Sequence, residues 1–266
     1  MRNSVFLDEL SDPAVAGYLK GFPAMVLVPT GATEQHGPHG PLGTDVMVAR
    51  EVCRRVGEAK SALVAPSIPY GLSAASKGFK GVASLKTDTF VKLITDITTS
   101  LADGGFRRIV FVNGHSTNYA AINLALLEVS SQLPERTRAF ALTYWETLPR
   151  HERDEFLGLR TGLHANVGET SATLATRPDT VEMEEAVAGW PSFPQLKGPA
   201  MPTINAYFEA QEGSRYKAQP GGVWGDPTGA SRELGTKFLD QITQGVCNVI
   251  DDTEKTFAHL NTTQSY

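Results

Sequence analysis

Short apolar runs alternate with longer segments in which apolar residues recur at helical spacing, over most of the first two thirds of the chain. This alternation predicts an α/β fold, a three-layer αβα sandwich in which helices cover both faces of a mainly parallel sheet. The predicted strands are residues 24–28, 62–66, 109–112 and 138–143, and the predicted helices are residues 45–60, 89–103, 118–132, 169–176 and 231–258.

Residues 190–227 interrupt the alternation, because they are rich in proline and glycine and show no clear periodicity. A loop of this length inside a compact domain is usually functional or interfacial. Its run Gly221–Gly225 lacks the lysine and the strand–turn–helix context of a phosphate-binding loop. A length of 266 residues accommodates one α/β domain or two small ones, and we expect residues 1–266 to form a single domain.

Charge and composition narrow the classes of partner. The formal net charge of -5, from 24 basic and 29 acidic residues, argues against nucleic acid, which binds clustered Lys and Arg. No apolar run has the length needed to cross a membrane. The two cysteines, Cys53 and Cys247, are typical of buried small apolar residues. Because the chain starts without an apolar signal core, we expect a reducing, cytoplasmic location.

The densest candidate chemistry follows the first predicted strand. Glu34, His36 and His39 lie within six residues, and Asp45 follows Glu34 by eleven. Divalent cations are bound by this mixture of oxygen and nitrogen ligands, and loops past the carboxyl end of a strand commonly carry active sites. The alternative is a polar surface loop with solvated histidines.

Two further clusters have the same character. His115 follows the strand at residues 109–112, and His164 lies five residues before Glu169. The last two side chains converge if His164 precedes a helix and Glu169 lies in its first turn. Each residue has a structural alternative: a buried histidine held by the backbone, or a carboxylate favoured at a helix N-terminus. Three clusters in one chain favour a metal site.

Taken together, these blocks resemble the creatininase (creatinine amidohydrolase) family over most of the chain. The resemblance implies a creatininase-like fold, a hydrolase with two divalent metal ions and a small-molecule substrate, and a homo-oligomer, by family resemblance a hexamer. The matching residues are Gly31-Ala32-Thr33-Glu34-Gln35-His36-Gly37-Pro38-His39, Asp45, Tyr70-Gly71-Leu72-Ser73, Asn113-Gly114-His115, His164, Glu169-Thr170-Ser171 and Gly221-Gly222-Val223-Trp224-Gly225-Asp226-Pro227.

The resemblance also implies roles for single residues. One metal would be held by Glu34, Asp45 and His115, and the other by His36, Asp45 and Glu169. His164, with Glu169, is the expected catalytic group, which donates a proton to the leaving group or orients the attacking water. Zinc is the expected metal, although manganese and iron suit the same donors.

The chain departs from the family pattern at two places. Thr117 stands where creatininase carries a metal-binding glutamate, so Glu169 is needed to complete the second site. Ser76 and the run Phe79-Lys80-Gly81-Val82 replace the histidine and the Phe-Pro-Gly-Thr stretch of many relatives. These changes argue against creatinine as the substrate and favour one that carries hydroxyls or a carboxylate. The predicted substrate contacts are Ser73, Ser76, Thr117 and Trp145.

Three functions follow from this reasoning, in order of preference. The first is a metal-dependent hydrolase that opens a small cyclic amide or cleaves a related C–N bond such as a formamide. The second uses the same metals to hydrolyse a C–C bond in a cyclic polyol ketone of the inosose type. The third is a non-catalytic metal-binding member of the family, which the intact ligand set disfavours.

Overall fold

The computed structural model describes residues 4–21, 24–158, 164–189 and 220–263. Its strands are β1 (Met25–Thr30), β2 (Leu63–Val64), β3 (Arg108–Asn113) and β4 (Arg138–Thr143). Its α-helices are α1 (Asp12–Leu19), α2 (Thr44–Lys60), α3 (Thr87–Asp103), α4 (Asn118–Val129), α5 (Arg150–Leu157), α6 (Val167–Thr176) and α7 (Arg232–Thr263). Short 3₁₀ helices span Leu7–Glu9, Ala74–Ser76, Ser130–Gln132, Tyr144–Thr147, Pro178–Thr180, Met183–Glu185 and Pro220–Gly222.

The four strands form a parallel sheet in the order β2-β1-β3-β4. The carboxyl ends of three strands are aligned, because Thr30 lies opposite Asn113 and Asn113 lies opposite Thr143. After β1 the chain adds β2 on one side, and it later returns to add β3 on the other. The boundary between β1 and β3 is therefore the switch point at which open α/β sheets bind ligands.

Both faces of the sheet are buried, as alternate residues of β1 show. Met25 and Leu27 join a core formed with α2, α6 and α7, whereas Val26 and Val28 join a second core with α3 and α4. Strands covered on both faces are apolar along their whole length, which explains why β1 is a continuous apolar run. The three-layer α/β architecture predicted from the sequence is confirmed.

Most predicted elements are present with shifted ends. The strand predicted at residues 62–66 is only Leu63–Val64, and the helix predicted at 118–132 is α-helical only to Val129 before it tightens into a 3₁₀ turn. The short helices α1 and α5 were not predicted. In α5, Arg150–Leu157, only Phe156 is buried, so the segment has no apolar periodicity to detect. Residues 190–219 of the predicted late loop lie outside the described residues.

Two further expectations concern single features. Cys53 and Cys247 are both buried, as predicted, and both are free cysteines. Within the described ranges, no helix combines the length and the apolar character needed to cross a membrane.

Candidate metal centre

Five titratable side chains meet at the carboxyl ends of β1 and β3. Glu34 and His36 lie on the loop after β1, His115 follows β3, Asp45 lies in the first turn of α2, and Glu169 lies in the first turn of α6. All five are buried. Because β1 and β3 are adjacent and parallel, their following loops emerge side by side above the start of α2.

A glycine permits this close approach. Gly114 packs so tightly on α2 that an added Cβ would lie 2.4 Å from the main-chain oxygen of Asp45. Any larger residue would push the loop after β3 away from the helix. The Asn-Gly-His block thus brings His115 next to Asp45.

The ligand atoms form two clusters that share Asp45. One contains Glu34, Asp45 and His115, the other contains His36, Asp45 and Glu169, and the ligand atoms within each cluster lie within 4.8 Å of one another. Nδ1 of His115 is 3.1 Å from both Oε1 of Glu34 and Oδ2 of Asp45. Nε2 of His36 is 3.1 Å from Oδ1 of Asp45. These are the two sets that the family resemblance implied.

Main-chain carbonyls orient both histidines. Nε2 of His115 lies 2.9 Å from the carbonyl oxygen of Leu72, and Nδ1 of His36 lies 3.3 Å from that of Glu34. A ring nitrogen beside a carbonyl oxygen carries the proton and donates it. The lone pairs of Nδ1 of His115 and Nε2 of His36 therefore face the carboxylates, the arrangement typical of metal-binding histidines.

The site fits divalent cations because its buried acceptors lack hydrogen-bond donors. Nε2 of His36, Oδ2 of Asp45 and Oε2 of Glu169 are buried, and no hydrogen bond satisfies them within the described part of the chain. Leaving one such atom unpaired costs about 1–3 kcal/mol, and more for a charged group. Cations held by Glu34, Asp45 and His115, and by His36, Asp45 and Glu169, would satisfy all three.

In the absence of cations, protons take part of this role. Burial alone would lower the pKa of His36, but Asp45, Glu169 and Glu34 raise it to about 9. Burial likewise opposes protonation of His115, yet Glu34 and Asp45 raise its pKa well above the usual value. The same ion pairs outweigh burial at the two acids and hold the pKa values of Glu34 and Asp45 below their usual values.

Glu169 differs from the other two carboxylates. Burial first, and then the charges of Asp45 and Glu34, raise its pKa to about 7, although His36 opposes the shift. The side chain of Asn166 caps α6 by accepting from the main-chain N–H groups of Gly168 and Glu169, which fixes the start of the helix. Without metal, the pKa of Glu169 is therefore raised, whereas those of Glu34 and Asp45 are lowered.

Uncharged side chains support the ligands from behind. Ser76 donates through Oγ to Oε2 of Glu34 at 2.9 Å. Asn113 accepts from the main-chain N–H of His115 at 3.1 Å and donates to its carbonyl at 2.7 Å. Asn118 joins the main chain of Leu72 to that of Gly31, with distances of 2.9 Å on both sides. The contact with Asn118 holds the main chain at Leu72, whose carbonyl orients His115.

His164 adjoins both clusters. It precedes α6, and its main chain pairs with that of Trp224. Its ring stands 4.7 Å from the ring of His36, and its Nδ1 lies 3.6 Å from Oε1 of Glu34. Ligand atoms of His164, Glu34 and His36 also lie within 4.8 Å of one another. As the sequence predicted, His164 precedes α6 and Glu169 lies in the first turn of that helix.

The predicted substrate residues occupy different environments. Ser76 contacts Glu34, as above, and Ser73 is buried with no hydrogen bond to its Oγ within the described ranges. Thr117 directly precedes α4, two residues after His115. Trp145 is buried in the core beside Tyr144 and lines a separate surface cavity of about 530 Å³. Their substrate roles stay predictions.

Sequence reasoning placed His39 beside the ligands but missed the supporting contacts of Gln35 and Asn118. Nε2 of His39 lies 3.0 Å from Oγ1 of Thr170, which connects the loop that carries Glu34 and His36, the metal loop, to α6. The side-chain amide of Gln35 contacts the ring of His164. Both belong to the motif already singled out, so their position beside ligands was the available signal. Asn118 gave no such signal, since it looked like an ordinary helix residue.

Comparison with known proteins identifies relatives over nearly the whole chain. The family model described as creatininase, creatinine amidohydrolase, matches residues 8–250. The chain is 32% identical to the creatinine amidohydrolase of Pseudomonas putida, over 94% of this chain and 97% of that protein. It is 31% identical to the mycofactocin precursor peptide peptidase of Mycolicibacterium smegmatis, over 85% and 84%. The 3-dehydro-scyllo-inosose hydrolase of Thermotoga maritima is 25% identical, over 61% of this chain and 53% of that protein.

Solved creatininase structures have the same fold. A creatininase variant of Zn–Zn type superposes with a TM-score of 0.78 at 30% identity, over 95% of this chain and 99% of the other. A manganese creatininase superposes with a TM-score of 0.77 at 29% identity, over 94% and 99%.

Proposed function

Because this chain belongs to the creatininase family, we propose that it is a metal-dependent hydrolase that opens a small cyclic amide or cleaves a related C–N bond. One observation carries the proposal. Two clusters of buried donors share Asp45, and each contains an atom that no hydrogen bond satisfies within the described residues. Such a pair of sites is the usual basis of two-metal hydrolysis.

We propose two divalent cations, with zinc the expected metal. Glu34, Asp45 and His115 would hold one, and His36, Asp45 and Glu169 the other. Each set combines imidazole nitrogen with carboxylate oxygen, which suits zinc and manganese alike. Solved creatininases of Zn–Zn and manganese type support this choice. Bound cations of this kind lower the pKa of water toward about 7 and polarise a carbonyl oxygen.

The chain's own residues supply proton transfer and orientation. We assign to the protonated ring of His164 the proton that reaches the leaving nitrogen. Nδ1, the ring nitrogen that faces Glu34, gives it up, and the neutral ring keeps its other proton on Nε2, beside the carbonyl of Gln35. We also assign Glu169 to catalysis, where its carboxylate would hold the second cation beside the substrate. Ser73 has a buried hydroxyl without a hydrogen bond in the described structure, and we assign it a polar contact with substrate.

Two relatives favour C–N cleavage. The names of the Pseudomonas and Mycolicibacterium proteins both denote hydrolysis of an amide bond, and both align with more than four fifths of this chain. Ring-opening C–C hydrolysis of a cyclic polyol ketone is the second candidate. It is supported by the Thermotoga inosose hydrolase, which aligns with 61% of this chain. Ser76 and the run 79–82 favour a substrate other than creatinine, with hydroxyls or a carboxylate.

We further propose that residues 1–266 form one domain, that the protein acts in the cytoplasm, and that it assembles into a homo-oligomer, by family resemblance a hexamer. The two cores packed on one sheet support the single domain. Light scattering tests the assembly, since a monomer near 28.6 kDa would refute it.

The decisive experiment combines metal analysis with a substrate screen. We expect about two metal equivalents per chain, and chelator-sensitive hydrolysis of cyclic amides, formamides or short peptides rather than inososes. Turnover of an inosose alone would select the C–C reaction. Unchanged turnover after a chelator has removed all of the metal would refute metal dependence. His164→Ala should keep both metals and lower kcat by about 10²–10⁴-fold.

A further inference from the structure

Gln35 lies between Glu34 and His36 in the chain, and its side chain makes contacts that the proposed function has not used. The residue is buried. Its Oε1 accepts from the main-chain N–H of Gly37 at 2.9 Å, and its Nε2 donates to the carbonyl of Gly222 at 2.9 Å. These two bonds determine which end of the amide is oxygen and which is nitrogen.

Two groups of Gln35 reach the same ring nitrogen of His164. The main-chain carbonyl oxygen of Gln35 lies 2.7 Å from Nε2 of His164, and the side-chain amide nitrogen lies 2.8 Å from it. A ring nitrogen donates to the carbonyl when it carries the proton and accepts from the amide when it does not. Nε2 therefore has a hydrogen-bond partner in either neutral form of the ring.

We propose that Gln35 is the positioning residue of His164, because its main-chain carbonyl and its side-chain amide both reach Nε2 and so keep Nδ1 facing Glu34. This inference rests on the role of His164 in the proposed function. Nδ1 lies 3.6 Å from Oε1 of Glu34, so a ring that turned away would withdraw this nitrogen from the metal centre. The side chain of Gln35 also joins the metal loop to the segment before α7, residues 220–231, through its bond to Gly222. We call residues 220–231 the late segment.

Gly222 leaves the space that the side chain of Gln35 occupies. Its φ is +80°, and an added Cβ would lie 2.5 Å from Oε1 of Gln35. A side chain at this position would therefore displace the amide that reaches His164. Gly229, in the same late segment, has no neighbouring atom within 4 Å of an added Cβ and provides a matched control.

A double-mutant cycle tests the proposal. Gln35→Met keeps the length of the side chain and removes its amide, and it should lower kcat by about 10–100-fold with little change in KM. In a His164→Ala background the same substitution should change kcat by less than about twofold, because its effect passes through the ring. An equal loss in both backgrounds would overturn the proposal.

A second readout does not need turnover. With histidine-selective ¹⁵N labelling of the zinc-loaded protein, the ring resonances of His164 in Gln35→Met should shift toward the Nε2–H form, because the carbonyl acceptor stays and the amide donor is gone. Unchanged ring resonances would refute the role of Gln35. Wild-type turnover in His164→Ala would instead remove the catalytic assignment, and the ring spectrum would still decide on Gln35.

The glycine pair completes the test. Gly222→Ala should reproduce part of the loss in kcat and the same shift of the His164 ring, whereas Gly229→Ala should leave both at wild-type values. Equal behaviour of the two variants would contradict a specific contact between Gly222 and Gln35. Metal content near two equivalents in all variants would show that the losses do not arise from metal loss.

Discussion

Charged side chains are paired differently at the two ends of the parallel sheet, and β3 runs from one end to the other. At its amino end, Arg108 pairs with Glu254 of α7, and the two side chains are 17% and 22% exposed. At its carboxyl end, the side chains of Glu34 and Asp45 are only 3% exposed and face imidazoles whose lone pairs point toward them. The ion pair at the amino end needs no further partner, whereas the site at the carboxyl end needs protons or cations between its acceptors.

This difference separates structural from functional charge. A paired, partly solvated ion pair stabilises the fold modestly and is replaceable. Buried acceptors that face one another are costly unless a proton or a cation lies between them, so such a site persists because of what it binds. Substitutions at the two ends should therefore differ in the size of their effect and in the property they change. At the carboxyl end this property is metal binding and activity, and at the amino end it is the free energy of unfolding.

Removing the shared carboxylate should have the largest effect. Asp45→Ala deletes a ligand of both clusters, so we expect loss of both cations and a fall in activity of at least ~10³-fold, since the lost stabilisation amounts to several kcal/mol. The chain should stay folded, because the deletion also removes a buried charge. Elemental analysis and circular dichroism check these outcomes. Two retained metal equivalents would exclude Asp45 as the shared ligand.

The metal-free protein should lose stability as pH rises. The folded-state pKa of His36 is raised from 6.5 to about 9, so its stabilising contribution is complete below pH 6.5 and is lost as pH passes through 9. His115 acts in the same direction. Each pKa unit corresponds to about 1.4 kcal/mol, so the decline should reach a few kcal/mol. Thermal unfolding of chelator-treated protein between pH 6.5 and 9.5 measures it.

The loaded protein supplies the control. Because cations replace the protons, the zinc form should not show this decline, and a metal-free His36→Gln variant should show a smaller one. Parallel pH profiles for the loaded and metal-free proteins would contradict the assignment of His36.

Much of this centre could be predicted from the sequence, because the ligand residues have distinctive chemistry. The fold followed from the alternation of apolar runs with helical periodicity, and the ligand sets from the family resemblance. The orientation of the histidines could not be predicted. The carbonyls of Leu72 and Gln35 orient His115 and His164, and any residue type supplies a carbonyl. Helix α5 was missed for a related reason, since its charged residues conceal the single buried side chain of Phe156.

The two serines of one loop provide a finer test of the carboxyl end. Ser76 donates to Glu34, so Ser76→Ala should weaken binding of the cation proposed to lie between Glu34, Asp45 and His115 by about 10–100-fold. Ser73 has no hydrogen bond to its Oγ in the described structure, so Ser73→Ala should leave cation affinity unchanged and raise KM. Chelator competition measures the affinities. Equal affinities in both variants would remove the supporting role of Ser76.

The smallest effect is expected at the amino end of the sheet. Glu254→Gln removes the ion pair with Arg108 but keeps the shape of the side chain, and two further contacts hold Arg108, whose Nη1 donates to the carbonyls of Arg107 and Arg136. We expect a loss of about 1 kcal/mol in the free energy of unfolding, reduced at high salt, with metal content and kcat unchanged. Urea unfolding at low and high salt measures this loss. A change in metal content would show that the charges at the two ends of β3 are coupled, and the separation between structural and functional charge would fail.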